Sequence, residues 1–315
     1  MSAKKIITVF GATGNQGGAI VKEFLNHPEL NKIWTVRGVT RDVSKDSAKK
    51  LASQGAEVVA ADLNDKESLL KAIAGSDTVF AVTNYWEKLD MALEEQQGRN
   101  IADASKEAGV KHLIWSSLLD IKKLTDGKLP HVYHFDSKAH VEEYIREIGV
   151  PATFFMPGFY MPNIPGGTMS KQGDNWVFSL PIASSSPIPL YNPADTGKYV
   201  KAIVDNKAAL LGKRFTAATE YLTAQEVVDT FKRVFPEAGK TAGYFETPKD
   251  VFFGFMKGTG MPEFAVEEMY ENMVLMQDFG YYGGLQLDES LKFVKEPLTT
   301  FAEFAKNAPA FAGLQ

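Results

Sequence analysis

Two short stretches of the chain carry residue types that do chemistry. The first, VFGATGNQGG from Val9 to Gly18, is nearly bare of side chains, with Gly11, Gly14 and Gly17 at every third position. Glycine reaches positive φ and lets the backbone approach a ligand closely. A loop of this kind between strand and helix sets main-chain N–H groups and the positive end of the helix dipole against an anion. Thr13, Asn15 and Gln16 add side-chain hydrogen-bonding groups. The second stretch, His134-Phe-Asp-Ser-Lys138, places an imidazole and an ammonium on one helix face. A histidine titrates near neutrality and can act as an acid; alternatively it packs against a ligand or hydrogen-bonds locally. His131 and His140 are close in sequence, but the Lys138 charge repels a cation, and no metal site is expected.

Both stretches need a scaffold, and the first half of the chain supplies the pattern of one. Apolar, β-branched runs occur at 6–10, 33–39, 56–60, 78–82, 111–116 and 152–156, separated by segments of helical periodicity. In one of these, Val141, Tyr144, Ile145 and Ile148 recur at i, i+3, i+4 and i+7. Alternating strands and helices with continuously apolar strands predict an α/β fold: a Rossmann-type, doubly wound parallel sheet. The glycine loop then follows the first strand and opens the first helix, the context in which it binds a dinucleotide pyrophosphate. NAD sites commonly hold the ribose with an acidic residue at the end of the second strand. This strand instead ends VTRDVSKDSAKK, with Arg41 at the expected place and Lys45 shortly after. Those charges suit a 2′-phosphate and favour NADP(H). Asp42 leaves open an ordinary solvated helix start. Asp62 and Leu63 follow the third strand, towards the adenine; Thr83, Asn84 and Tyr85 follow the fourth, beside the nicotinamide ribose.

After Pro157 the texture changes. Proline and glycine are dense over 157–165, ASSSPIP at 183–189 reads as a loop, and Thr223–Glu226 and Thr300–Glu303 have the form of capping boxes. The reading is a cofactor domain over 1–156, with a strand–helix return around 187–217, and a smaller, mostly helical substrate or partner domain over 157–315. Met269, Met273 and Met276 at helical spacing are expected to fill core. Asp195 is expected to brace a turn. The 315 residues include no cysteine, which excludes disulfides and thiolate chemistry, and the net charge of −5 offers no attraction for nucleic acid or anionic membrane. With neither a leader nor a membrane span evident, a cytoplasmic protein is expected, with the nucleus as a second location.

The stretches FGATGNQGG, VTRDVSK, GAEVVAADLND, VTNYWE, IKKLTDGKL, HFDSKAHVEEYIREIGVP and LTTFAEFAKN resemble the NmrA-like family of atypical short-chain dehydrogenases/reductases, its animal redox-sensor branch in particular. The resemblance implies NADP(H) held by residues 11–17, Arg41, Lys45, Asp62, Thr83–Tyr85 and Lys138, with Tyr160 to Asn163 closing over the nicotinamide end. Ordinary members of the wider superfamily use Tyr-x-x-x-Lys, the tyrosine passing the proton. Here Lys138 is kept and His134 stands in the tyrosine's place; Tyr133, about 100° round the helix, should point elsewhere. Ser116 and Ser117 follow the fifth strand, where the carbonyl-orienting serine would sit. Two functions stay open. One is a redox sensor or transcriptional regulator with weak or no catalysis, working through a homodimer or protein partners. The other is an NADPH-dependent oxidoreductase acting on a small carbonyl, quinone or conjugated substrate.

Overall fold

The computed structural model describes residues 3–315. Its centre is a seven-stranded parallel sheet, in which β1 (Lys5–Val9), β2 (Trp34–Thr40), β3 (Glu57–Ala60), β4 (Thr78–Ala81), β5 (His112–Ser116) and β6 (Ala152–Pro157) are joined by a strand at Arg214–Ala217. The spatial order is Arg214–Ala217, β6, β5, β4, β1, β2, β3. The order reverses between β1 and β4, so their carboxyl ends open the crevice where a doubly wound sheet binds its ligand.

Alternation along each strand sorts side chains into two cores. Ile7, Val9, Phe80, Ile114 and Phe155 face the helices Asn15–Asn26 and Thr196–Asp205. Val79, Ala81, Leu113, Trp115 and Phe154 face the helices Lys66–Ile73, Met91–Glu107 and Tyr133–Ile148. Both faces of the central strands are buried, which is why those strands read as unbroken apolar runs. Two of the covering helices meet unusually closely at Gly98. A Cβ there would lie 2.5 Å from Val141 Cγ2 and 3.0 Å from the Trp115 ring.

The second half packs around its own apolar cluster, which includes Phe178, Phe231, Met273 and Met276 and extends to Leu118–Phe135 at the end of the large sheet. Both capping boxes form, at the heads of the helices Ala224–Val234 and Phe301–Asn307. Two three-stranded sheets join the helices: Glu220–Thr223, Pro187–Tyr191, Phe159–Tyr160, and Gly243–Glu246, Asn175–Leu180, Met169–Gln172. Hydropathy alone did not signal them. Pro187–Tyr191 thus belongs to a small sheet, and the return to the large sheet runs from Thr196 to Ala217. Asp195 ties that return to the chain's end, accepting from the Thr299 N–H at 2.7 Å and pairing with Lys198. Among the described residues no helix is long and apolar enough to cross a membrane.

His112 sits fully buried in β5, with Nε2 against Thr153 at 2.8 Å and Nδ1 without a partner among the described residues. Burial, helped by the Lys207 charge, lowers its pKa to about 4. The unfolded chain takes up this proton near pH 6.5 and the folded chain resists it, so stability is full above that value and is lost as pH falls towards 4. The stability gap between the native chain and His112→Gln is expected to shrink by about 2 kcal/mol between pH 7 and pH 5. Chemical denaturation at the two pH values measures it; a constant gap would contradict the assignment.

Candidate functional site

The glycine loop is built by contacts that exclude side chains. Gly11 has φ +64°, and a Cβ there would lie 2.9 Å from Val82. A Cβ on Gly17 would fall 2.3 Å from the Gly11 carbonyl oxygen, so the helix can begin this close to the strand only with glycine at that position. Gly14 is the N-cap residue and its N–H bonds the Gly11 carbonyl at 2.8 Å. The helix Asn15–Asn26 has no side-chain cap and no acidic residue in its first turn. Its opening N–H groups and dipole are therefore left for an anion. Thr13 and Asn15 are exposed at this mouth. Gln16 is buried; its amide donates to the Tyr160 hydroxyl at 2.6 Å, while its Oε1 has no partner among the described residues. An uncapped helix and a cradle that a Cβ would fill fit a dinucleotide pyrophosphate.

Beyond β2, Arg41 is largely exposed and pairs with Glu87 at 2.5 Å. Lys45 is exposed at the head of the helix Asp46–Ser53. The Asp42 carboxylate is taken up locally by the Ser44 N–H and hydroxyl, at 2.8 and 2.6 Å. Beyond β3, Asp62 closes a similar turn on Asn64, and the Leu63 carbonyl accepts from Asn100. Asn84 and Asn163 are exposed, and the Asn163 carbonyl caps the loop at Thr168.

Lys138 and His134 lie one turn apart on the helix Tyr133–Ile148, and each has a carboxylate of its own. Lys138 is 9% exposed and Glu94, from the facing helix, 2%. Lys138 Nζ and the Ser137 hydroxyl both donate to Glu94 at short range, the Thr83 hydroxyl donates to it at 2.7 Å, and Lys138 also reaches Thr83 at 3.3 Å. Burial alone would raise the Glu94 carboxyl, but the Lys138 charge and these hydrogen bonds outweigh it and hold it below the usual carboxylate range. The close approach at Gly98, one turn along from Glu94, is what lets the two helices make this pair.

His134 is held from the second half of the chain. Glu268, fully buried on the helix Glu263–Asp278, accepts from the His134 backbone N–H at 2.8 Å, from its ring Nδ1 at 2.6 Å and from the Tyr85 hydroxyl at 2.7 Å. Burial, reinforced by the Glu268 hydrogen bond and charge, pushes the Tyr85 phenol far up, so it stays a donor. Glu271, one turn-fraction on, takes the His131 N–H and ring in the same way. Trp86, 40% exposed, lies with its ring 4.8 Å from the His134 ring. Tyr133 turns instead to His131. Ser116 ends β5, while the Ser117 hydroxyl is engaged with Glu142, itself held by Arg146 and Arg214.

The structure thus brings Thr83 to Lys138, Tyr160 to Gln16 and, through Glu268, Tyr85 to His134. The residues that sequence reading missed are Glu87, Glu94 and Glu268, three carboxylates each seated on one of the expected site cations or on His134. The one signal for Glu94 was Gly98, a glycine inside a helix, which marks a close helix contact.

Comparison with known proteins agrees with the architecture. The chain is 31% identical over 256 residues to the NmrA-like family domain-containing oxidoreductase malD of Malbranchea aurantiaca, covering 76% of this chain and 75% of that one. Among solved structures it resembles NmrA, a negative transcriptional regulator, in complex with NADP, at TM-score 0.80 and 23% identity, covering 98% and 96%. It also resembles the NADPH-dependent quinone oxidoreductase QOR2 of Escherichia coli, at TM-score 0.74 and 22% identity, covering 94% and 97%. Residues 3–305 match the NmrA-like family, and the chain belongs to it.

Proposed function

We propose that this chain binds NADP(H) and acts as a redox-responsive regulator, its conformation and associations following the cofactor's state, with weak or no catalysis. The cofactor would lie on residues 11–17, with Arg41 and Lys45 at the 2′-phosphate, Asp62 and Leu63 near the adenine, and Thr83–Tyr85, Lys138, Tyr160 and Asn163 towards the nicotinamide. Support comes from the side-chain-free cradle, from the cations past β2 and from relatives solved with NADP or NADPH. Residues 1–156 with the return strand form the cofactor domain in this reading, and 157–315 the partner domain.

The observation that carries the regulatory reading is that both groups suited to proton chemistry are already engaged: Lys138 by Glu94 and His134 by Glu268. Glu268 also offers a path outwards. Its helix supports the helix Lys249–Gly258, which has no buried residue and leaves Phe255 68% exposed. A change in the seat of Tyr85 or His134 moves Glu268, and with it this surface. A regulator of this type needs different contacts with the two redox forms of its cofactor.

The second reading, an NADPH-dependent reductase of small carbonyl, quinone or conjugated substrates, is favoured by the same dyad. Donation from Nδ1 to Glu268 would fix the His134 tautomer and leave Nε2 to handle a proton, with Glu268 stabilising the imidazolium. NADPH, when bound, supplies the hydride. Trp86 offers a stacking surface beside His134, and the relative malD is named an oxidoreductase.

Calorimetric titration is expected to give tighter binding of NADPH than of NADH, with Arg41→Ala weakening NADPH about tenfold and leaving NADH unchanged. Equal affinities in the native chain would overturn the NADP(H) assignment. Nicotinamide oxidation against a panel of carbonyls, quinones and imines is expected to stay at background. Turnover that vanishes in correctly folded Lys138→Ala or His134→Ala establishes the reductase instead. Hydrogen exchange over 249–278 is expected to slow on cofactor binding, to different extents for NADP+ and NADPH; identical patterns would sink the regulatory reading.

A further inference from the structure

Arg41 stands one residue beyond β2, and Glu87 closes the turn Tyr85–Glu87 beyond β4. Those strands flank β1 on opposite sides. The ion pair between them, at 2.5 Å, therefore bridges the ends of the strands on either side of the glycine loop. Packing does not force the contact, since the side chains are 68% and 38% exposed. Charge and a charge-assisted hydrogen bond hold it, and the same bond keeps the Glu87 carboxyl ionised, below its ordinary range. Asp62 faces Arg41 as well and adds to the negative potential there.

We propose that Glu87 is an internal stand-in for the 2′-phosphate: it occupies Arg41 in the cofactor-free chain, and binding of a 2′-phosphorylated nucleotide exchanges one anion for another on the same guanidinium. The proposal rests on the NADP(H) reading above. A guanidinium fork accepts carboxylate and phosphate in the same geometry, and a phosphate with nearly two negative charges outcompetes one exposed carboxylate. A ribose 2′-hydroxyl carries no charge and leaves the pair in place. Glu87 thus lowers affinity for the phosphorylated nucleotide and makes its capture a mechanical event. Its turn includes Tyr85, hydrogen-bonded to Glu268, and Trp86, whose ring lies tilted against that of His134. Releasing Glu87 frees the far end of the segment that borders the proposed nicotinamide site. NADP(H) then loosens this segment and NAD(H) does not.

The test uses fragments that carry only the adenosine end: adenosine 2′,5′-bisphosphate, and AMP as the form without the 2′-phosphate. Calorimetry at low ionic strength on the full chain is expected to show Glu87→Gln binding the bisphosphate about threefold more tightly than the native chain, with AMP unchanged. Trp86 emission, identified by its loss in Trp86→Phe, is expected to shift on saturation with the bisphosphate and not with AMP. An unchanged or weakened bisphosphate affinity in both Glu87→Gln and Glu87→Ala overturns the stand-in role. So does a Trp86 signal that does not distinguish the two ligands. A different result marks failure of the cofactor reading itself: native chain and Arg41→Ala both binding the bisphosphate no better than AMP.

Discussion

A carboxylate removed from water loses several kcal/mol of hydration and must recover it from donors fixed around it. Glu268 has no exposed surface and recovers it from three: the His134 backbone N–H, the His134 ring and the Tyr85 hydroxyl. Those donors come from the head of one helix and from the turn after β4, whereas Glu268 comes from a helix more than a hundred residues later. The two halves of the chain are therefore held in one register. A shift of one turn in the helix Glu263–Asp278 would strand Glu268 and Glu271 together, because both are used in the same way.

The same rule orders the packing beneath it. Glu94 is satisfied only while the helices Met91–Glu107 and Tyr133–Ile148 stay close, and the closeness is supplied by Gly98 against Val141. Val141 follows Lys138 by one turn on the same helix face, so the steric contact and the ion pair reinforce each other. Trp115 is drawn into the arrangement, its indole N–H donating to the Lys138 carbonyl at 3.0 Å. A β5 side chain, a glycine and a buried ion pair thereby fix where the Lys138 ammonium stands.

Much of this architecture was legible in the sequence for a simple reason. The central strands of the large sheet are covered on both faces, so the run at 111–116 announced His112–Ser116, and 152–156 announced Ala152–Pro157, within a residue. The glycine loop was legible because its backbone conformation admits no substitute, and the capping boxes because their partners are three residues apart. The small sheets were not: Met169–Gln172 is a short, largely exposed strand whose conformation is set by its neighbour Asn175–Leu180. Nor were the site carboxylates. Glu94 and Glu95 are adjacent, yet one is buried on Lys138 and the other partners His140 at the surface. Local sequence does not say which of two neighbouring glutamates faces inward; only the helix packing does.

Arg41, His134 and Lys138 each have a carboxylate in attendance, so an anion arriving there gains only the difference between its own attraction and the one it replaces. That difference is not the same at the two ends of the cleft. Arg41 and Glu87 are exposed, and either is readily rehydrated when the pair opens. Separating Lys138 from Glu94 would leave a charge 2% exposed with nothing but neutral hydroxyls for company, a far larger penalty. The Arg41 pair is thus the exchangeable one, and the Lys138 pair is the fixed one.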